Sequence, residues 1–469
     1  MIRGGKMENK ENNEPTNEEI EGFDTSRSES WGEYPLDTVF VRKEPRTVGD
    51  IVSRIDKGRY KLDPEFQRDF VWSLSKQSRL IESSLMRIPL PVLYVAEDID
   101  GKIIVVDGLQ RLTTFQRYLN NKFALKDVGS SDPESLITGK KFDELPIHLQ
   151  ERIEDTQLTL YILDPKAPER ARLDIFERVN SGEPLTRQQM RNCLYSGKST
   201  LWLKDASQMD CFLKATGRSL KVKSMRDREV INRFCAFYLL GYESYKGDME
   251  EYLAQALDRM NHSDVNFLEE MKVAFSKAME ISFKLFGRHS FRKSLAKDSI
   301  NEPRSVLNVS LFDALATQLA LNYETILDID ELVIKERICS LLEYGRFNSA
   351  ISYSTNNTIE SKTRHRLASK VLNAEPQLKF DEILYSDLIE QHLEFLHLPI
   401  PKDKVDEISS RLYFKINEIK KYTDWKSKED IQSDIEFHLI VDLDIFGLSE
   451  MQLKLLTSKL ISQAKVLNL

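Results

Sequence analysis

The pattern of apolar and polar positions changes character along the 469 residues. Residues 1–34 are rich in Glu, Asn and Ser and nearly free of aliphatic side chains. Such a leader cannot bury enough apolar surface to offset the entropy of ordering, so disorder is expected there. From 35 to 197 short β-branched runs alternate with short amphipathic helices. A helix opens at Thr47-Val48-Gly49-Asp50 and closes at Gly58, and a second is capped by Ser73 or Ser75 and ended by Pro89 and Pro91. Residues 92–96 and 102–106 read as an antiparallel hairpin across the turn Asp98-Ile99-Asp100-Gly101. Residues 158–163 (LTLYIL) form a further strand, while 123–125 and the Gly/Ser/Asp-rich 128–140 read as an exposed excursion. Residues 168–179 read as a helix, and Thr186 caps the next one, over 187–194. Beyond 198 the strand signal fades and long amphipathic helices dominate. A break at His397-Leu398-Pro399-Ile400-Pro401 precedes a last group of helices over 405–421, 430–441 and 451–466.

The sharpest change of period lies in KIIVVDGLQRLTTFQRYLN, residues 102–120. Ile103, Ile104, Val105 and Val106 read as a buried strand, Asp107-Gly108 breaks it, and Leu112, Phe115, Gln116 and Leu119 recur at helical spacing. A helix that starts directly from such a turn presents its first backbone N–H groups and the positive end of its dipole, which favours a bound phosphate. Arg111 in the first turn is unfavourable for the bare helix but well placed to clamp an anion. The alternative is a plain strand-turn-helix corner with a surface Arg. Upstream, FQRDFVW sets Gln67 and Arg68 among three aromatics, Phe66, Phe70 and Trp72. Arg68 is either salt-bridged within the fold or reaches a ligand. Asn180 in Asn180-Ser181-Gly182-Glu183-Pro184 is either a helix C-cap or part of a functional turn.

Composition narrows the classes. Hydrophobic content of 41% with 30% charged residues is that of a soluble globular chain, long enough for two or three domains. A net charge of −8 gives no global basic field, so nucleic-acid binding has to come from local patches. Three patches stand out: Lys221, Lys223 and Arg226; Arg288 and Arg292; Arg364 and Arg366. They are either solvated faces or parts of a DNA groove. Cys193, Cys211, Cys235 and Cys339 are scattered with no CxxC pair, which reads as buried thiols in a reducing cytoplasm rather than a disulfide frame or a zinc site. No run reaches membrane-spanning length and MIRGGKMENKENNEP lacks a signal-peptide apolar core, so a cytoplasmic protein without a membrane partner is expected. There is no GxxxxGK[ST], GxGxxG or HExxH, and no His pairs with another His or a Cys at metal-ligand spacing. No protein-held metal site and no complete nuclease site is legible.

Four ordered blocks, DPEFQRDFVWS, KQSRLIESSLMRIPLPVLYVAED, KIIVVDGLQRLTTFQRYL and IFERVNSGEPLTRQQMRN, resemble the N-terminal domain of GmrSD-type restriction endonucleases. More weakly, MRDREVINRFCAF and NVSLFDAL resemble the helical region that follows it in these proteins. The resemblance implies a ParB/sulfiredoxin-like fold with an Asp-Gly-Gln-Gln-Arg motif that binds, and often hydrolyses, a nucleoside triphosphate in restriction of phage or modified DNA. Asp107, Gly108, Gln110 and Arg111 match the motif, while Leu109 stands where its first Gln would be. A Leu cannot replace that amide's hydrogen bonds, which puts hydrolysis in doubt while leaving binding. Gln67, Arg68 and Trp72 match the upstream element, and Asn180 the downstream N-x-G turn; Thr113 is a further candidate beside the motif. The larger relatives carry a fused His-metal nuclease, whose motif is not seen here. Residues 422–447 have a fainter likeness to the C-terminal docking segment of type I restriction motor subunits.

The expected architecture is an α+β N-terminal domain, a ParB/sulfiredoxin-like small mixed sheet with helices, followed by mostly α-helical domains. The boundaries are a leader over 1–34, a nucleotide-binding domain over 35–197, a helical domain with basic patches over 198–376, and a helical docking module over 377–469. The expected mechanism seats a triphosphate with Mg2+ on the Asp107–Arg111 helix start, ahead of the helix over 112–119. Asp107, Gln110 and Arg111 are the catalytic candidates, with Arg111 and Arg68 as counter-charges, gating DNA contact or a partner nuclease. Rival readings are a non-enzymatic DNA-binding or regulatory module, and a nuclease with an unrecognised site. The nucleotide, the restriction-modification partner and any homo-oligomer stay open.

Overall fold

The computed structural model describes residues 20–21, 41–62, 72–97, 101–128, 137–167, 172–175, 186–296, 303–419 and 425–467. Its N-terminal part is a five-stranded mixed sheet built from β1 (Val41–Thr47), β2 (Tyr60–Lys61), β3 (Leu93–Glu97), β4 (Ile103–Asp107) and β5 (Gln157–Leu163), in the order β1-β5-β3-β4-β2. β3 and β4 form the expected antiparallel hairpin, β5 lies parallel to β3, and β1 closes the edge antiparallel to β5 from Val41 opposite Leu163 to Thr47 opposite Gln157. Four helices are interleaved: α1 (Val48–Asp56), α2 (Leu74–Leu85), α3 (Leu109–Leu119) and α4 (Ile147–Glu154). The hydroxyl oxygens of Thr47 and Ser73 accept from Asp50 N–H and Lys76 N–H and fix where α1 and α2 begin.

The sheet is buried on both faces. Val95, Ile103 and Val105 point to one side, into a core with Ile51 of α1, Ile81 of α2, Phe115 of α3 and Ile153 of α4. Ala96 and Val106 point to the other, against Leu173, Met190 and Leu194. With side chains alternating between two apolar faces, the strand reads as an unbroken β-branched run. Phe123, Leu125 and Val128 are buried in the first core, which corrects the expectation of an exposed excursion there: Leu125 N–H donates to Lys140 O and Gly139 N–H to Leu125 O, pulling the segment inward.

α5 (Arg187–Leu194) carries the chain from the sheet into the helical part. There follow α6 (Lys198–Gln208), α7 (Asp210–Thr216), α8 (Arg226–Leu240), α9 (Met249–His262), α10 (Val265–Phe286), α11 (Val309–Leu321), α12 (Tyr323–Leu327) and α13 (Glu331–Glu343). The last are α14 (Gly345–Ser352), α15 (Thr358–Leu372), α16 (Phe380–Phe395), α17 (Lys402–Ile419), α18 (Glu429–Leu443) and α19 (Glu450–Val466). One contiguous core runs through them from Trp202 to Leu467, across the break near residue 397. Glu21, within the segment expected to be disordered, is an ordered bridge: its N–H donates to Leu307 O and its C=O accepts from Val309 N–H. Among the described residues no helix is long and apolar enough to cross a membrane. The four cysteines form no disulfide; Cys193 and Cys235 are buried as expected, while Cys211 and Cys339 are only half-buried.

Candidate functional site

The Asp-Gly corner forms as its sequence dictates, but its charges are arranged differently from the expectation. β4 ends at Asp107, opposite Tyr94, where the β3–β4 register slips. Gly108 then adopts φ 101° and ψ 10° as the N-cap of α3, and no side chain caps the helix. A Cβ on Gly108 would lie 2.1 Å from Leu93 Cδ2, so both the dihedral and the space require glycine. A helix start without a side-chain cap is the kind of terminus at which an outside acceptor is favoured.

Arg111, expected to reach outward as a counter-charge, turns inward. Its Nη1 donates to Pro91 O, and its Nη2 to Val92 O at 3.1 Å and to Asp107 Oδ2 at 2.8 Å. The side chain is 13% exposed; burial pushes its pKa down while Asp107 pulls it up. Arg111 therefore locks the end of the α2–β3 connection to the Asp107 carboxylate. That leaves Asp107 Oδ1 with no hydrogen-bond partner among the described residues, on a side chain that is 40% exposed. A carboxylate with one oxygen fixed and the other presented is suited to hold a cation or a water.

The other candidates divide. Gln110 and Thr113 are half-buried in the first turns of α3, and Gln110 O accepts from Thr114 Oγ1. Leu109, the departure from the motif, packs against the sheet-domain core, an apolar environment that suits Leu. Trp72 packs on the same core, its carbonyl accepts from Gln77 Nε2, and Lys76 Nζ lies 4.6 Å from its ring centroid. Gln67, Arg68 and Asn180 lie outside the described residues.

The basic residues also divide. Lys221, Lys223 and Arg288 are exposed. Arg226 is paired with Glu229 and Arg366 with Asp387. Arg292 and Arg364 are fully buried, which corrects their reading as DNA contacts. Arg292 donates to Ser305 O, Thr216 O and Ser219 Oγ, a strut that joins the first two basic segments. Arg364 donates to Thr355 O and lies beside Asp313, which Arg233 engages at 2.6 Å. Burial pushes Arg364 down to about 10 despite Asp313.

Two features were not legible in the sequence. Arg191 of α5 is buried and bridges to Glu250 of α9, where Arg187 joins at 3.2 Å. From the same helix, Gln189 Nε2 donates to Lys223 O and Thr186 Oγ1, at its cap, to Ser224 O. The basic loop is therefore held directly by the last helix of the N-terminal part. The second feature is a cleft of about 550 Å3 between sheet and helices, lined by Lys61, Lys102, Arg172 and Lys198 together with Glu251 and Asp258. Lys102 precedes β4 and Asp107 ends it, so cleft and corner lie at opposite ends of one strand. Among the described residues no three His, Cys, Asp or Glu side chains could together hold a metal ion.

Residues 48–196 match the family of the GmrSD restriction endonuclease N-terminal domain. The match begins with α1, takes in the corner and Arg191 but not its partner Glu250, and stops just beyond α5. No curated protein and no solved structure gave a match.

Proposed function

We propose that the chain is a nucleoside-triphosphate-binding sensor of a restriction-type defence system, with its ligand at the Asp107–Arg111 corner. The match of residues 48–196 to a restriction endonuclease domain points to restriction-type defence. The observation that carries the ligand assignment is the corner: an uncapped helix start, a glycine at φ 101°, and a carboxylate with one oxygen held and one presented. This donor set fits a phosphate with Mg2+. N–H groups of α3 would take the phosphate oxygens, and Asp107 Oδ1 would take the ion, which keeps most of its ligands from phosphate and water. When bound, the magnesium nucleotide would supply a polarised phosphoryl group. Arg111 positions Asp107, and Gln110 is the remaining amide of the motif near the helix start.

Transmission follows the backbone and side-chain links. The corner lies between β4 and α3, β4 packs through Val106 against Leu194 and Met190 of α5, and α5 holds Ser224 and Lys223. A ligand that shifts β4 or α3 would shift α5, and with it the exposed Lys221 and Lys223 that we assign to DNA or to a partner nuclease.

Calorimetric titration of the full chain with ATP, GTP, CTP and UTP in Mg2+, wild type against Asp107→Asn, tests the reading. Binding to one or more nucleotides that falls about tenfold or more in the variant is expected. Binding untouched by Asp107→Asn but lost in Lys61→Ala/Lys102→Ala would move the ligand to the cleft. No binding at all would refute the sensor. Phosphate release with and without DNA separates an NTPase from a module without turnover.

A further inference from the structure

The C-terminal helices carry an apolar seam that faces solvent. α17 and α18 run antiparallel, since Arg411 pairs with Asp442 and Lys415 with Asp434. α18 turns Ile435, Leu439 and Leu443 into the core. Two residues further on in each case, Phe437 and Val441 of α18 and Ile445 of the 3-10 turn that follows it are 64%, 59% and 54% exposed. At 3.6 residues per turn an offset of two is about 200°, so this segment has apolar stripes on opposite faces and only one is covered. Phe414 of α17, 66% exposed, precedes Lys415 by one residue, as Phe437 precedes His438, whose ring N lies 3.5 Å from Asp434. Both Phe residues therefore flank the same seam on its outer side. From Phe437 to Ile445 the ridge is about 12 Å long.

The rim is acidic. Glu407 and Glu418 on α17 are exposed, as are Asp430 and Asp444 around α18. The cations at the seam, Arg411 and Lys415, are engaged in ion pairs with Asp442, Glu407 and Asp434. From residue 429 to 450 the sequence has no Lys or Arg. Scattered exposed apolar residues need no explanation, but a four-residue patch with two Phe beside acidic residues, its nearest cations already ion-paired, does. A second copy would bring acid against acid, and the leader over 1–34 holds more Asp and Glu than Lys and Arg.

We propose that this seam is the docking surface for a partner's amphipathic helix, with apolar residues at i and i+4 and flanks of Lys and Arg. Apolar side chains would fill the ridge between Phe414 and Val441 while the basic flanks meet the rim.

The test is fluorescence anisotropy of the full chain with a labelled synthetic helix of about five turns, Leu at i/i+4 and Lys on its flanks. A second probe keeps the Leu residues and replaces each Lys by Glu. Saturable binding of the basic probe, weakened about tenfold or more in Phe437→Ser/Val441→Ser and by the acidic probe, supports the proposal. Asp430→Lys/Asp444→Lys keeps the apolar ridge and should shift the preference toward the acidic probe. No saturation, or equal affinity for both probes, overturns it. A dimer dissolved by Phe437→Ser/Val441→Ser would give the seam to a second copy and overturn it as well. Circular dichroism melts of the variants establish that each is folded.

Discussion

Replacing Gly108 by Ala tests whether the corner is as constrained as its geometry implies. Two terms act. A residue with a Cβ held in the left-handed region at φ 101° costs about 1–2 kcal/mol relative to Gly. The new methyl would also begin 2.1 Å from Leu93 Cδ2, on a side chain that is fully buried. Overpacking of that kind costs about 1–3 kcal/mol, because β3 or α3 has to shift. The expected loss is therefore about 2–5 kcal/mol, read from urea unfolding of the sheet-domain transition. Leu93→Ala separates the terms. It removes Cδ2 and is itself destabilising by about 2–5 kcal/mol, yet in its presence the Gly108→Ala change should retain only the dihedral term. A coupling of about 1–3 kcal/mol is the signature. Nucleotide affinity should fall along with stability, since the same shift displaces the first-turn N–H groups of α3. A Gly108→Ala protein within about 0.5 kcal/mol of wild type would refute the claim that sterics at this turn fix the site.

Four further outcomes follow from the same structure. Burial alone would raise the Glu250 carboxyl, but Arg191 and Arg187 outweigh it and hold it below the ordinary carboxylate value. A depressed folded-state value means the contribution is complete above the unfolded value and lost as pH falls through the folded one, so acid below about pH 4.5 should loosen the joint between α5 and α9, seen as hydrogen exchange of α5. Asp313→Asn leaves the buried guanidinium groups of Arg233 and Arg364 without this carboxylate and should cost about 3–5 kcal/mol in urea unfolding. Neutralising Lys221, Lys223 and Arg288 together should lower affinity for duplex DNA and reduce its salt slope by up to about three, with unfolding unchanged; Arg364→Gln should instead show its effect in unfolding. Leu109→Gln restores the amide of the motif at some packing cost. If that amide orients the attacking water, phosphate release should rise above wild type, and equal rates in the two proteins would remove the residue from the account.

What the sequence revealed and what it concealed divide along the range of the interactions. Signals carried by near neighbours were readable: the Asp107-Gly108 stop, the helix opening at Thr47, a cap at Ser73 or Ser75 (Ser73 in the structure), the cap at Thr186, and the hairpin of β3 and β4 all depend on residues within a few positions. β1 was not, because VRKEPRT has no apolar alternation and is defined by its ladder to β5 more than a hundred residues later; Pro45 is compatible with a strand at the sheet edge. Charge was misread for the same reason. KTRHR looks like a solvated run, yet Arg364 and His365 turn inward because Asp313, far away in sequence, supplies a carboxylate beside the Arg364 guanidinium. Arg111 shows that the rule also holds inside the motif. Its spacing put it at the mouth of a phosphate site, but the carbonyls of Pro91 and Val92, fixed by the turn into β3, capture the guanidinium and reassign it from ligand contact to holding Asp107. The charge a ligand would meet at this corner is then set by backbone N–H groups and one free carboxylate oxygen, which favours a phosphate brought with its own cation over a bare anion.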